Sequence, residues 1–243
     1  MTSTIYAENQ KKLQKRLDTH KKYSKHDLTS WVTNIIDLKY GESLLDIGCG
    51  SGHLLKKFAE QFNLSMFVGL DKSKEAIKTT KHNTNITIIL GDMDVLKIQY
   101  KFDVVMSNFA LYYSKNIPKV INDIYNILKP NGRLFISGPT RGNNKELLTL
   151  QSTISQTDFI KPTLIMPEQI LPEVRKTFGT VQEFNFVNPI TFPHLKSFMK
   201  YWKSYYTYEK DIEHQMGQIL QKHIDGNGNF TTTKNVLGIL ATK

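Results

Sequence analysis

The chain has 243 residues, 40% of them apolar and 22% charged, which is ordinary for a soluble α/β domain with an appended cap. It contains no run of 18 apolar residues to span a membrane, and no basic start followed by an apolar stretch; a cytoplasmic chain without a secretory leader is expected. The single cysteine, Cys49, excludes an internal disulfide, and between two glycines it reads as a small residue that fits a tight loop. The formal net charge of +10 favours acidic partners such as nucleic acid. Its lysines, however, are scattered along the chain, which argues against a dedicated nucleic-acid surface.

In chain order, the first 40 residues read as helical: Leu13 and Leu17 are one turn apart, and Trp31, Ile35, Ile36 and Leu38 mark an apolar face before Tyr40-Gly41. Strands and amphipathic helices then alternate. Ser43–Ile47 is a strand, Gly52–Phe62 a helix, Ser65–Leu70 a strand and Ser73–His82 a helix. Asn85–Leu90 and Phe102–Ser107 are strands, Ile117–Leu128 a helix, Lys129–Gly132 a turn and Arg133–Ser137 a strand. Such alternation predicts a doubly wound α/β fold, a parallel sheet with helices on both faces. Residues 139–178 read as loop and helix, Thr180–Val187 as a strand, Phe192–Ile224 as an aromatic-rich helix and Val236–Thr242 as a last strand.

Four segments carry the candidate chemistry. Asp46-Ile-Gly-Cys-Gly-Ser-Gly52 joins the first strand to the first helix after it, where doubly wound sheets bind ligands. Its glycines at 48, 50 and 52 miss the G-x-G-x-x-G spacing of a dinucleotide site, since position 53 is histidine. Asp46 would repel a pyrophosphate and favour a cationic ligand such as a sulfonium-bearing amino acid. Asp71 ends the second strand, where an acid can accept from two ribose hydroxyls or cap the next helix. Asp92 and Met93 follow the third strand, suited to an adenine amino group and ring face, or simply to a turn. Phe102–Ser107 delivers Asn108 to the same sheet edge.

These segments, in this order, resemble the class I S-adenosylmethionine-dependent methyltransferases, specifically the small-molecule type with a D-x-G-x-G-x-G loop. The resemblance covers roughly residues 41–138, with weaker support from Asn235–Lys243. Leu128-Lys-Pro-Asn-Gly-Arg-Leu134 is similar to the family's L-K-P-G-G-x-L turn, with Asn131 in place of the first glycine. The resemblance implies a Rossmann-like seven-stranded sheet with its last strand antiparallel and a helical cap. Residues 1–40 would form an N-terminal cap segment. Residues 41–243 would form the methyltransferase domain, with cap insertions at about 139–178 and 190–228. S-adenosyl-L-methionine is the implied cofactor. Asp46, Gly48 and Gly50 would sit near its methionine part, Asp71 would hold the ribose, and Lys72 would pack beside the adenine. Asp92 and Met93 would meet the adenine, and Asn108 the methionine part; Tyr23 or Trp31 would close over the ligand.

The implied partner is a small-molecule methyl acceptor. The sequence Asn108-Phe-Ala-Leu lacks the N-P-P-aromatic pattern of enzymes that methylate nitrogens of nucleobases and protein amides, and no carboxylate set for a metal stands out. Candidate orienting or basic groups are His194, Tyr112, Tyr113 and His53, with Arg141, one of four arginines, for an anionic acceptor. Phe198, Tyr201, Trp202 and Tyr205 share a helix face that would either pack as core or line an acceptor pocket. Two alternatives stay open: an enzyme of this fold that binds the cofactor without transferring methyl, and an RNA-binding module.

Overall fold

The computed structural model of the protein describes residues 10–62, 66–74, 85–157 and 161–243. They divide into two compact units. A sheet unit comprises Leu28–Thr140, Leu164–Phe186 and Val236–Lys243, and a helical unit the described residues of Met1–Asp27, Arg141–Thr163 and Val187–Asn235.

Strands β1 (Leu44–Ile47), β2 (Phe67–Asp71), β3 (Ile86–Leu90), β4 (Phe102–Asn108), β5 (Leu128–Pro139), β6 (Thr180–Phe192) and β7 (Phe230–Thr242) form one sheet in the order β3-β2-β1-β4-β5-β7-β6. β1 to β5 pair in parallel, and β7 runs antiparallel to β5, with Phe135 opposite Leu240. The chain steps from β1 outward through β2 and β3, then returns to place β4 on the other flank of β1. The order therefore reverses between β1 and β4, the place where sheets of this kind bind ligands at their carboxyl ends.

Two cores fill the sheet's faces. One gathers Val32 and Ile36 of α2 (Leu28–Ile36) with Leu54, Leu55 and Phe58 of α3 (His53–Gln61). Trp31 packs here, with ring centroids 6.2 Å from Phe135 and 5.2 Å from Phe186. The other holds the i, i+3, i+4, i+7 stripe Ile117, Val120, Ile121 and Ile124 of α4 (Ile117–Ile127) and Val174 of α6 (Leu171–Thr177). Asn116 starts α4, its Oδ1 accepting from the Lys119 amide at 3.1 Å. The 129–132 turn sits inside β5 as an irregularity: Leu128 lies opposite Phe102 but Arg133 opposite Val104, and Asn131 takes φ +61°. The helix read over Ser73–His82 lies, from residue 75 onward, outside the described residues.

The helical unit contains α1 (Gln10–Tyr23), α5 (Lys145–Ser152), α7 (Leu195–Trp202) and α8 (Glu213–Asn227). It corrects three expectations. β6 continues to Phe192 because Phe186, Asn188, Ile190 and Phe192 alternate inward with period two. The single helix expected over Phe192–Ile224 is two, broken at 203–212, where the buried Thr207 gives its carbonyl to Gln151 Nε2. The aromatic stripe is core: Phe198, Tyr201 and Trp202 are fully buried with Phe192, Leu220 and Phe230. Likewise β7 starts at Phe230, because the β-branched run Thr231–Thr233 extends it.

Candidate functional site

The β1–α3 loop occupies the edge where strand order reverses. Gly48, Gly50 and Gly52 all have positive φ (77°, 53° and 69°). Gly48 matters most. A Cβ there would lie 2.2 Å from Ala110 Cβ, so the loop after β4 presses directly on bare backbone. The loop is tied to β2 by the Gly48 and Cys49 amides, which donate to the Leu70 carbonyl at 2.7 and 3.2 Å. Cys49 is buried against Gly69, and its thiol pKa is pushed up by burial and then by the nearby charges of Asp46 and Asp71, so it is no nucleophile.

Asp46 is the anomaly of this site. It stands among Leu44, Leu45 and Ile47, is 2% exposed, and its Oδ1 has no hydrogen-bond partner. Burial, and then the charge of Asp71, raise its pKa to about 8. A buried acid with an open acceptor is costly, and such groups concentrate where a ligand completes them.

Asp71 clasps the loop. Its Oδ2 accepts from the Gly50 amide and its Oδ1 from the Ser73 amide, both at 2.8 Å. Two oxygens carry about four lone-pair positions, so the carboxylate keeps acceptor capacity beyond these two bonds. Met93 is half-buried, with its Cε 3.7 Å from the position of a Gly48 Cβ. Asp92 is exposed and starts a short 3₁₀ turn by accepting from the Asp94 amide at 3.0 Å. Lys72 is exposed on the turn after β2. Asn108 ends β4, and its Oδ1 accepts from Ser137 Oγ. Tyr112, on the turn after it, lies against Gly138. The structure thus brings Asp46, Gly48, Gly50, Asp71 and Met93 together around the loop.

Three predicted residues belong to the helical unit. Tyr23 packs its ring 5.6 Å from that of Phe192, His194 precedes α7 with an exposed side chain, and Arg141 is exposed after β5. Sequence reasoning missed three supports. Ala110 forms the wall against Gly48; Ser137 fixes Asn108; Ser107 Oγ ties β4 to β1 by donating to the Ile47 carbonyl at 2.9 Å. Asp94 was visible beside Asp92, and it gathers Ser114 Oγ (2.6 Å) and the Lys115 amide.

Residues 38–221 match the family model described as a methyltransferase domain. A malonyl-[acyl-carrier protein] O-methyltransferase of Priestia megaterium is 28% identical over 117 residues, covering 47% of this chain and 43% of that protein. The chain spans about half the length of the curated relatives it matches. In fold it is similar to the YcgJ protein of Bacillus subtilis (TM-score 0.62, 15% identity, 88% of this chain and 97% of that one). It is also similar to the plantazolicin methyltransferase BpumL, solved with SAH (TM-score 0.56, 17% identity, 95% and 90%).

Proposed function

The chain belongs to the methyltransferase-domain family, and from that premise we propose that it binds S-adenosylmethionine at the β1–β4 edge and methylates a small-molecule acceptor. One observation carries the reading: the buried, partnerless Oδ1 of Asp46 beside a loop whose backbone is open at Gly50, where a Cβ would meet nothing within 4 Å. A cation-bearing amino-acid ligand fits that combination, because it supplies charge to the acid and can approach main chain without meeting a Cβ. A pyrophosphate does not.

Asp46 and the loop at Gly48 and Gly50 take the methionine part. Asp71 takes the ribose hydroxyls while it holds the loop shut through Gly50. Asp92 and Met93 take the adenine, with Lys72 beside it, and Asn108, oriented by Ser137, completes the methionine end. The cofactor supplies a sulfonium methyl for in-line displacement. Holding the nucleophile in line is the chain's task, and orientation of this kind is worth roughly 7–11 kcal/mol. Tyr112 is the acceptor-side candidate of the sheet unit, and His194 and Arg141 those of the helical unit; Tyr23 is the candidate lid aromatic. Among the described residues, no helix is long and apolar enough to cross a membrane, and a small acceptor in solution fits this.

The test is calorimetric titration with S-adenosylhomocysteine. Saturable binding is expected, weakened at least tenfold by Asp71→Ala with the circular dichroism spectrum retained; absence of binding by the folded chain refutes the reading. Donor consumption against an acceptor panel then separates methyl transfer from cofactor chemistry of another kind.

A further inference from the structure

The turn that leaves β4 is pinned at several points. Asn108 Oδ1 accepts from Ser137 Oγ, and the Phe109 amide donates to the Ser137 carbonyl at 2.9 Å. Ala110 closes against the glycine loop: its Cα and Cβ lie 3.7 and 2.2 Å from where a Gly48 Cβ would stand. Tyr112 Cδ1 lies 3.0 Å from the corresponding position on Gly138, and the Tyr113 amide donates to the Ala110 carbonyl at 3.0 Å. Held on both sides, the backbone at Phe109 takes φ +56°.

That conformation is out of character for the residue. Among the described residues four non-glycines have positive φ: Asp37, Phe109, Asn131 and Asn144. Aspartate and asparagine tolerate the left-handed region, whereas a bulky aromatic pays strain there that glycine or asparagine would largely avoid. The pinning accounts for the backbone angle but not for the ring. Strain of this kind persists where it serves a ligand, and the position agrees. Phe109 is half-buried at the carboxyl end of β4, between Asn108 and the Ala110 that abuts Gly48. Consecutive Cα atoms are about 3.8 Å apart, so Phe109 is within side-chain reach of the loop and of Asn108.

We propose, on the cofactor reading above, that the Phe109 ring meets the sulfur end of the cofactor and reads its charge, favouring the sulfonium of S-adenosylmethionine over the neutral thioether of S-adenosylhomocysteine. An aromatic face attracts a cation through its quadrupole, more strongly where water is excluded. A neutral sulfur gains only the weaker sulfur–aromatic contact. The two ligands share their ammonium, carboxylate, ribose and adenine, so the groups around the sulfur must tell them apart. Asp46 can also favour the sulfonium. It is unchanged in a variant at 109, so a change in the ratio of the two affinities isolates the ring.

The full chain is titrated calorimetrically with S-adenosylmethionine and, separately, with S-adenosylhomocysteine at one pH. Phe109→Leu keeps an apolar side chain on the same backbone and should lower the ratio of donor affinity to product affinity about threefold or more. Phe109→Tyr keeps the ring and should hold the ratio within about twofold. Phe109→Gly removes the ring and the strain together, so it carries the test if Phe109→Leu does not fold. An unchanged ratio in the ringless variants, with both ligands still bound, overturns the proposal and leaves the cofactor reading standing. Failure of the wild-type chain to bind either ligand overturns both.

Discussion

Asp46 makes the cofactor reading testable through protons. Its pKa in the folded chain is about 8, against 3.8 for an ordinary aspartate. Below pH 3.8 the acid is neutral in both folded and unfolded chains and has no effect. As pH rises, the unfolded chain loses this proton first, so the folded state is progressively destabilised until about pH 8. The shift of about four units corresponds to roughly 5 kcal/mol at the upper end of that window. A cationic ligand next to the acid reverses this by favouring the carboxylate. At pH 7 the free protein carries the proton about nine times in ten, so binding should release close to one proton. Binding should also tighten by up to tenfold per pH unit between pH 6 and 8. The assay is calorimetric titration with S-adenosylhomocysteine at pH 7 in buffers of different ionisation enthalpy, the slope giving protons released. The ligand's own α-ammonium can also exchange protons on binding, so Asp46→Asn supplies the subtraction. A heat independent of buffer, or an equal release by Asp46→Asn, would refute the reasoning.

Three further outcomes are expected. Gly48→Ala combines a left-handed backbone with a Cβ 2.2 Å from Ala110 Cβ; about 2–5 kcal/mol of stability should be lost by urea unfolding, and a loss under 1 kcal/mol counts against the close approach. Trp202→Ala removes a fully buried ring whose Nε1 donates to Gln151 Oε1 at 3.2 Å. It should cost roughly 3–5 kcal/mol, whereas a pocket lining would lose little. Arg133→Lys breaks a two-pronged pair with Glu42 (2.9 and 2.8 Å) and should cost about 1–2 kcal/mol at pH 7. Burial pushes the Glu42 carboxyl up, but bonds from Arg133 and the Lys39 amide outweigh it and leave the pKa lowered. The carboxylate's contribution is present above the ordinary glutamate range and fades as pH falls through the lowered value. Wild type and variant should therefore converge in unfolding experiments as the pH falls below that lowered value.

The parallel sheet was legible because its signals are local. Each of β1 to β5 is a short apolar run bounded by turn residues, and α4 declares itself through isoleucines and valine at helical spacing after an Asn-Ile-Pro start. The failure at Phe192 has an equally local cause. The period-two set 186, 188, 190 and 192 runs straight into the helical set 198, 201 and 202, and every aromatic involved is buried. Composition is nearly constant across the junction, and only the change of period marks it. Similarly, Phe230–Thr233 lies ahead of the strand expected over Val236–Thr242, and it becomes strand as the first part of the long β7.

Site residues divide along the same line. Asp46 and the glycines could be read because an acid inside an apolar strand and three glycines at alternate positions are anomalies within seven residues. What those anomalies meet could not: the wall at Ala110 and the hydroxyls of Ser107 and Ser137 come from strands brought alongside by the sheet.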